Sequence, residues 1–267
     1  MEDGVFCGTI SLMSWASRRR TTYVVGVLAF FALVIGVPVA IWLYEPPACF
    51  DRKQNQGETA VDKGGPCALL DERTLSPSTI LWSRAFSART GSYNAVAYIE
   101  NPNRDAGVPL VYYRFGLYDE RNVLVAERQG RTFIMPGGIT PVFQGAIDTG
   151  SRTVARTYFE FTSAPQWIRA ADSAEALTVS NKSILPSEST PRLTARAKNT
   201  SVAVILDPSF VAVIFDTAGN AIAASATTLS RLAGGEEGEL VFTWSVPFER
   251  AVGRIDILPL LAPDFEK

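Results

Sequence analysis

Leu110-Val-Tyr-Tyr-Arg-Phe-Gly-Leu-Tyr-Asp119 places Tyr113, Phe115 and Leu117 at every second position and ends on an aspartate. A period of two sends those three side chains to one face of a β-strand. Phe210, Ala212 and Ile214 hold the matching places in a second strand, which ends at Asp216. Each strand runs into an Asp-led turn, Asp119-Glu-Arg-Asn122 and Asp216-Thr-Ala-Gly-Asn220, followed by a further apolar stretch at 123–126 and 221–224. Aspartate in that place bonds the backbone of its own turn, so both segments read as β-hairpins.

The two hairpins belong to a duplication. Asp119 and Asp216 are 97 apart, as are Gly137 and Gly234, while Asn101 and Asn199, and Arg156 and Arg254, are 98 apart. A unit of roughly 100 residues is large enough for its own core and far longer than a solenoid repeat. Further short strands are predicted at 94–100, 141–144, 153–161, 192–197, 239–244 and 253–258. The predicted fold is therefore mainly β: an N-terminal transmembrane α-helix followed by two tandem antiparallel β-sandwiches of immunoglobulin-like size, without an internal cysteine pair. Trp82, Trp167 and Trp244 read as core or interdomain filler.

Residues 23–44 carry no charge, follow Arg18, Arg19 and Arg20, and are stopped by Glu45, Pro46 and Pro47. At the α-helical rise they reach roughly 33 Å, against a hydrocarbon core of about 30 Å. The run is longer than a signal-peptide core and lacks a small-x-small exit, because Trp42 and Tyr44 stand there as interfacial anchors. It is read as a retained span over residues 21–44, contacting the lipid bilayer. The three arginines keep residues 1–20 cytoplasmic and send the rest outward across the plasma membrane, as a single-pass protein.

Cys49 and Cys67 fall just outside this span, in a compartment where thiols oxidise, and are expected to pair; Cys7 lies on the other side. The segment between them is polar and glycine-rich, and reads as a stapled spacer within a linker over residues 45–77. It resembles a short motif of microbial surface proteins, Cys-x-Asp-Gly-x-x-Asn-x-x-Glu-x-x-x-Asp-Cys-Gly-Gly-x-Cys. Asp51, Asn55, Glu58, Asp62, Gly64 and Gly65 fit it, whereas Arg52 and Lys63 replace a glycine and a cysteine. Asp51, Asn55, Glu58 and Asp62 are calcium candidates by their oxygens and spacing, yet fall short of the six to eight ligands that ion takes, with Lys53 and Lys63 beside them. No metal is assigned.

Phe115, Leu117, Tyr118 and Asp119 spell a motif that resembles the FxLYD family of small β-sandwich domains in microbial envelope proteins. In the second unit it has drifted to Ala212-Val-Ile-Phe-Asp216, keeping Ile214, Phe215 and Asp216 in register. The resemblance implies an immunoglobulin-like sandwich without an assigned activity or ligand. It sets the first sandwich at residues 78–170 and the second, a diverged copy, at 171–267.

Composition removes most chemistry. With no histidine, the chain lacks the commonest general base and zinc nitrogen ligand. None of its lysines follows a serine by three positions, and neither Gly-x-Ser-x-Gly nor a phosphate loop is present. A net charge of −2 implies no nucleic-acid surface. The expectation is a non-enzyme without cofactor: a membrane-anchored binding or scaffold protein offering its sandwiches to a protein partner in the envelope. The alternative is a subunit of a membrane complex held by the helix through Gly26, Ala29, Ala32 and Gly36. An enzyme built on a carboxylate pair is a third class.

Overall fold

The computed structural model describes residues 15–44, 48–185 and 190–265. The placement of Cys7 and the stop at Glu45, Pro46 and Pro47 lie outside the described residues. The chain divides into two compact units, Met1–Ala48 and Cys49–Lys267.

The first unit is helical: α1 (Trp15–Phe31), a π-helical turn (Ala32–Gly36) and α2 (Val37–Leu43). Arg18–Leu43, 26 residues with a mean hydropathy of 2.8 in its most apolar window, is long and apolar enough to cross a membrane and is 0% buried. The π turn has a cause in the sequence. Pro38 has no N–H, and its ring would meet the carbonyl one turn earlier, so the turn before it widens instead of breaking. Tyr44 then leaves the helix in extended geometry.

The second unit is a stack of antiparallel sheets. Its first half holds β1 (Thr79–Arg89), β2 (Ser92–Asn101), β3 (Ala106–Tyr118), β4 (Leu124–Ile134), β5 (Gly138–Asp148), β6 (Arg156–Phe161) and β7 (Ile168–Ala171). The second half holds β8 (Leu177–Leu185), β9 (Arg192–Asn199), β10 (Ile205–Leu206), β11 (Ser209–Asp216), β12 (Ala221–Thr228), β13 (Arg231–Leu232), β14 (Glu237–Thr243), β15 (Val252–Leu260) and β16 (Asp264–Phe265). Sheet β1-β2-β5 faces sheet β4-β3-β6, and the second half repeats the order as β8-β9-β14 facing β12-β11-β15. Both halves are β-sandwiches. Phe115, Leu117, Ala95 and Ile99 meet in the first core, and Phe210, Ile214, Leu193 and Phe242 in the second.

A third apolar layer joins them. Val96 and Tyr98, on the opposite face of β2, pack with Phe86 against Val211, Val213 and Phe215, on the opposite face of β11. Trp82 fills the seam, with its ring 4.4 Å from Tyr98 and 6.2 Å from Phe215. β2 and β11 are thus buried on both faces, which is why they read as unbroken apolar runs, 95–99 and 210–215. The packing is front to back: the first sandwich contributes its β1-β2-β5 sheet, while the second contributes the counterpart of β4-β3-β6.

Two expectations change. The linker is not a free spacer, because Leu70 enters the first core, its N–H donates to Trp167 O at 2.8 Å, and Arg169 Nη2 donates to Gly65 O at 2.9 Å. Leu69 and Leu70 are the apolar residues that bring it down. The division at 170/171 also falls inside β7, which pairs with β3 on one side and with β16 on the other.

Candidate functional site

The motif aspartates organise turns. Asp119 Oδ1 accepts from Arg121 N and Val123 N, each at 2.9 Å; Asp216 Oδ1 accepts from Ala218 N at 3.0 Å and Asn220 N at 2.7 Å. Asp216 is buried and also accepts from Arg250 Nη1 at 2.8 Å. That guanidinium, with the turn amides, holds its carboxyl well below the usual range, at about 2. Phe115, Leu117 and Ile214 are wholly inside the cores, and Phe215 lies in the layer between them. Tyr118 is half-buried, its ring lying over Gly116.

Asn101 and Asn199, visible in the sequence as repeat markers, are structural clamps. Asn101 Nδ2 donates to Ala106 O and Met135 O, and Asn199 Nδ2 to Ala203 O and Leu232 O, all within 3.0 Å. Both residues are 0% exposed.

Cys49 and Cys67 form a disulfide. Inside the loop, Glu58 Oε2 accepts from Asn55 N at 3.3 Å and Asp62 N at 3.1 Å, Asp62 from Arg52 N, and Asp51 Oδ2 from Asn55 Nδ2 at 2.7 Å. The four calcium candidates therefore lie in one network, serving as acceptors for the loop's backbone and for one another. Among the described residues the group of metal-ligand type with atoms within 4.8 Å of one another is Cys49, Glu58 and Cys67, whose sulfurs are already bonded together. The carboxylates of Asp51 and Asp62 do not join it.

The concave surface lies elsewhere. A cavity of about 670 Å³ opens where the two sandwiches meet, between β1, the start of β12 and the segment 244–250. Its walls include Phe86, Tyr93, Trp244 and Phe248, with Arg84, Glu249 and Arg250 among the charged groups. Arg84, Ala85 and Val154 also line a second cavity of about 310 Å³ between β1 and β6. Tyr158 links that one to a third, of about 450 Å³, over Arg114, Gly116 and Tyr118. The first two share Arg84, Ala85 and Val154 and form one groove, whereas the third lies beyond Tyr158 on the outer face of the β4-β3-β6 sheet.

No protein-family model and no curated protein matches the chain. Among solved structures, the crystal structure of a Bacteroides uniformis beta-glucuronidase is similar at 12% identity, covering 66% of this chain and 22% of that one, with a TM-score of 0.18. A likeness at that level carries no argument.

Arg84, Arg156 and Arg250 line the groove with Glu249, and Arg114 lies over the third cavity with Glu160. Arg114 is held by Glu160 and Glu127. The other three each engage the protein through Nη1: Arg84 with Ala221 O at 2.8 Å, Arg250 with Asp216, and Arg156 with Asn122. Sequence reading missed this site because its arginines come from separate strands and loops, and none stands in a basic run.

Proposed function

We propose that this chain is a single-pass membrane protein, N-terminus cytoplasmic, that binds a protein partner outside the plasma membrane through its stacked sandwiches. The observation carrying the reading is the Cys49–Cys67 disulfide placed directly after a helix long and apolar enough to span. An oxidised pair belongs on the far side of the membrane from the cytoplasm. Arg18, Arg19 and Arg20 on the opposite flank support the same orientation. The groove supports binding, since ligand sites favour concave surfaces where domains meet. The duplicated Asp-capped hairpin supports kinship with the FxLYD domains.

Cross-linking in native membranes tests this reading, comparing the chain with a version whose residues 23–44 are replaced by an unrelated span. A partner captured by both places recognition in the β unit. A partner lost with the native helix overturns that assignment in favour of helix-mediated assembly.

A further inference from the structure

We infer that the hollow on the outer face of the β4-β3-β6 sheet binds a neutral glycan, with a pyranose ring seated against Tyr118 and Tyr158. The inference goes beyond the protein partner proposed above and does not depend on it.

The hollow exists because Gly116 stands in the middle of β3. Glycine inside a strand weakens it, and its use there marks the close approach of another group. Here that group is the ring of Tyr118, since a Cβ on Gly116 would meet Tyr118 Cε2 at 2.9 Å. Tyr158, opposite Gly116 in β6, stands at 88° to that ring with centroids 5.3 Å apart, and is 57% exposed. The two rings make a corner in a cavity of about 450 Å³, a size suited to a small ligand.

The repeat shows that packing does not require this arrangement. In the register of Asp119 and Asp216, Arg114, Gly116 and Tyr118 correspond to Val211, Val213 and Phe215, which pack against the first sandwich. The copy that meets protein is apolar and filled. The copy that faces outward keeps a glycine, two tyrosines and an ion network.

That network selects the charge of the ligand. Arg114 Nε donates to Glu160 Oε1 at 2.8 Å and Nη1 to Glu127 Oε2 at 3.3 Å, so the guanidinium is matched on both sides. An ionic ligand would have to displace one of those carboxylates. A hydroxyl need not, because it donates and accepts at once. The wall offers it both: N–H groups remain on Nη1 and Nη2 of Arg114, and among the described residues Glu160 bonds through Oε1 alone. A pyranose ring combines an apolar C–H face, which suits an aromatic corner, with a rim of hydroxyls, which suits that wall.

The test uses the purified full chain in lipid nanodiscs, with cellohexaose, chitohexaose and maltohexaose as probes and hexagalacturonate as the charged control. Saturation-transfer NMR is expected to show at least one neutral hexasaccharide bound through its ring C–H protons, with an affinity that added salt does not lower. Tyr158→Ala should weaken that binding about tenfold, whereas Tyr158→Phe, which keeps the ring, should stay within about threefold of the unaltered chain. Ring signals of Tyr118 and Tyr158 in the unaltered chain give a readout that needs no variant: they should shift as glycan is added, while those of buried Tyr98 stay in place. Failure of all three neutral probes to bind, undiminished binding by Tyr158→Ala, or unmoved ring signals overturns the inference. Tighter, salt-sensitive binding of hexagalacturonate overturns it in favour of an anionic ligand. Each of these outcomes leaves the cross-linking test of the proposed function standing on its own, because that test reads capture of a protein.

Discussion

Tyr98 in β2 and Arg196 in β9 occupy the same place in the two sandwiches, in the register set by Asn101 and Asn199. One is 2% exposed beneath Trp82; the other is exposed and paired with Glu237. Val96 and Thr194 repeat the contrast, as do Val211 and Arg114 across the other sheet. Where a sheet meets its neighbour these outward positions are apolar, and where it ends the stack they are polar or charged. A front-to-back contact does not close on itself and could in principle continue from chain to chain. Polar end faces stop it, as capping repeats do in longer arrays.

Placing the Arg196 chemistry at its counterpart should therefore split the stack. Tyr98→Arg puts a charge into the apolar layer between two sandwiches, where the nearby carboxylate, Asp256 opposite Val213, is already paired with Arg254. It is expected to destabilise by about 3–5 kcal/mol and to separate one urea transition into two. Tyr98→Phe is the control. The Tyr98 hydroxyl is buried without a hydrogen-bond partner, and burial pushes its ionisation upward. Removing it should be neutral or stabilising by up to about 1 kcal/mol. A single undisturbed transition in Tyr98→Arg would show that the sandwiches do not depend on this layer.

Acid should act through Asp216. Its carboxyl titrates at about 2 in the folded chain, against 3.8 for an ordinary aspartate, with Arg250 as the main cause. A depressed folded value stabilises the fold above the unfolded value and loses that contribution as pH falls through the folded one. The urea midpoint is thus expected to decline from about pH 4 toward pH 2. Asp216→Asn keeps an oxygen for the turn amides but has no proton to gain, so its decline over that window should be shallower. Parallel profiles for the two proteins would rule Asp216 out as a source.

Removing the disulfide should cost local order first. Cys49 and Cys67 are 18 apart, and closing such a loop is worth about 3 kcal/mol on the chain-entropy account. Cys49→Ser with Cys67→Ser should lower the unfolding free energy by about that amount. Because Leu70 and Ala68 tie the following segment to the first sandwich, proteolysis should then begin within 49–67 and spare β1.

The halves of this architecture differ in how plainly the sequence declares them. The hairpins around Asp119 and Asp216 are legible because their turn chemistry and period-two patterning are local. The union of the sandwiches was also written locally, in the apolar runs 95–99 and 210–215, since an alternating strand such as 193–198 has a solvent face and these do not. That reading needs a comparison of the two repeats at each position, not the recognition of either. β7 and β16 are too short to show a period, and their pairing across the halves depends on chain path alone. The groove is least legible, because Arg84 and Arg156 come from distant strands of the first sandwich and Arg250 joins them only when the second is stacked on it.

Glycan addition gives a test of both burial and topology. Asn181 and Asn199 each stand two residues before a serine. Asn181 is exposed at a bulge in β8 with a positive φ of 52°, whereas Asn199 is 0% exposed and its amide nitrogen already donates twice. Attaching a sugar to Asn199 would remove a clamp from the second core and leave buried carbonyls unpaired, at about 1–3 kcal/mol for each. In a eukaryotic secretory host, folded protein should carry glycan at Asn181 and none at Asn199, read by peptide mapping. Asn181→Gln should abolish the mobility shift. Asn199→Ala should leave the shift intact and lower stability by about 2 kcal/mol or more, because two carbonyls lose their donor. A folded protein modified at Asn199 would contradict the clamp. Absence of glycan from both sites, in a chain shown to be inserted in the membrane, would contradict the outward placement of the β unit.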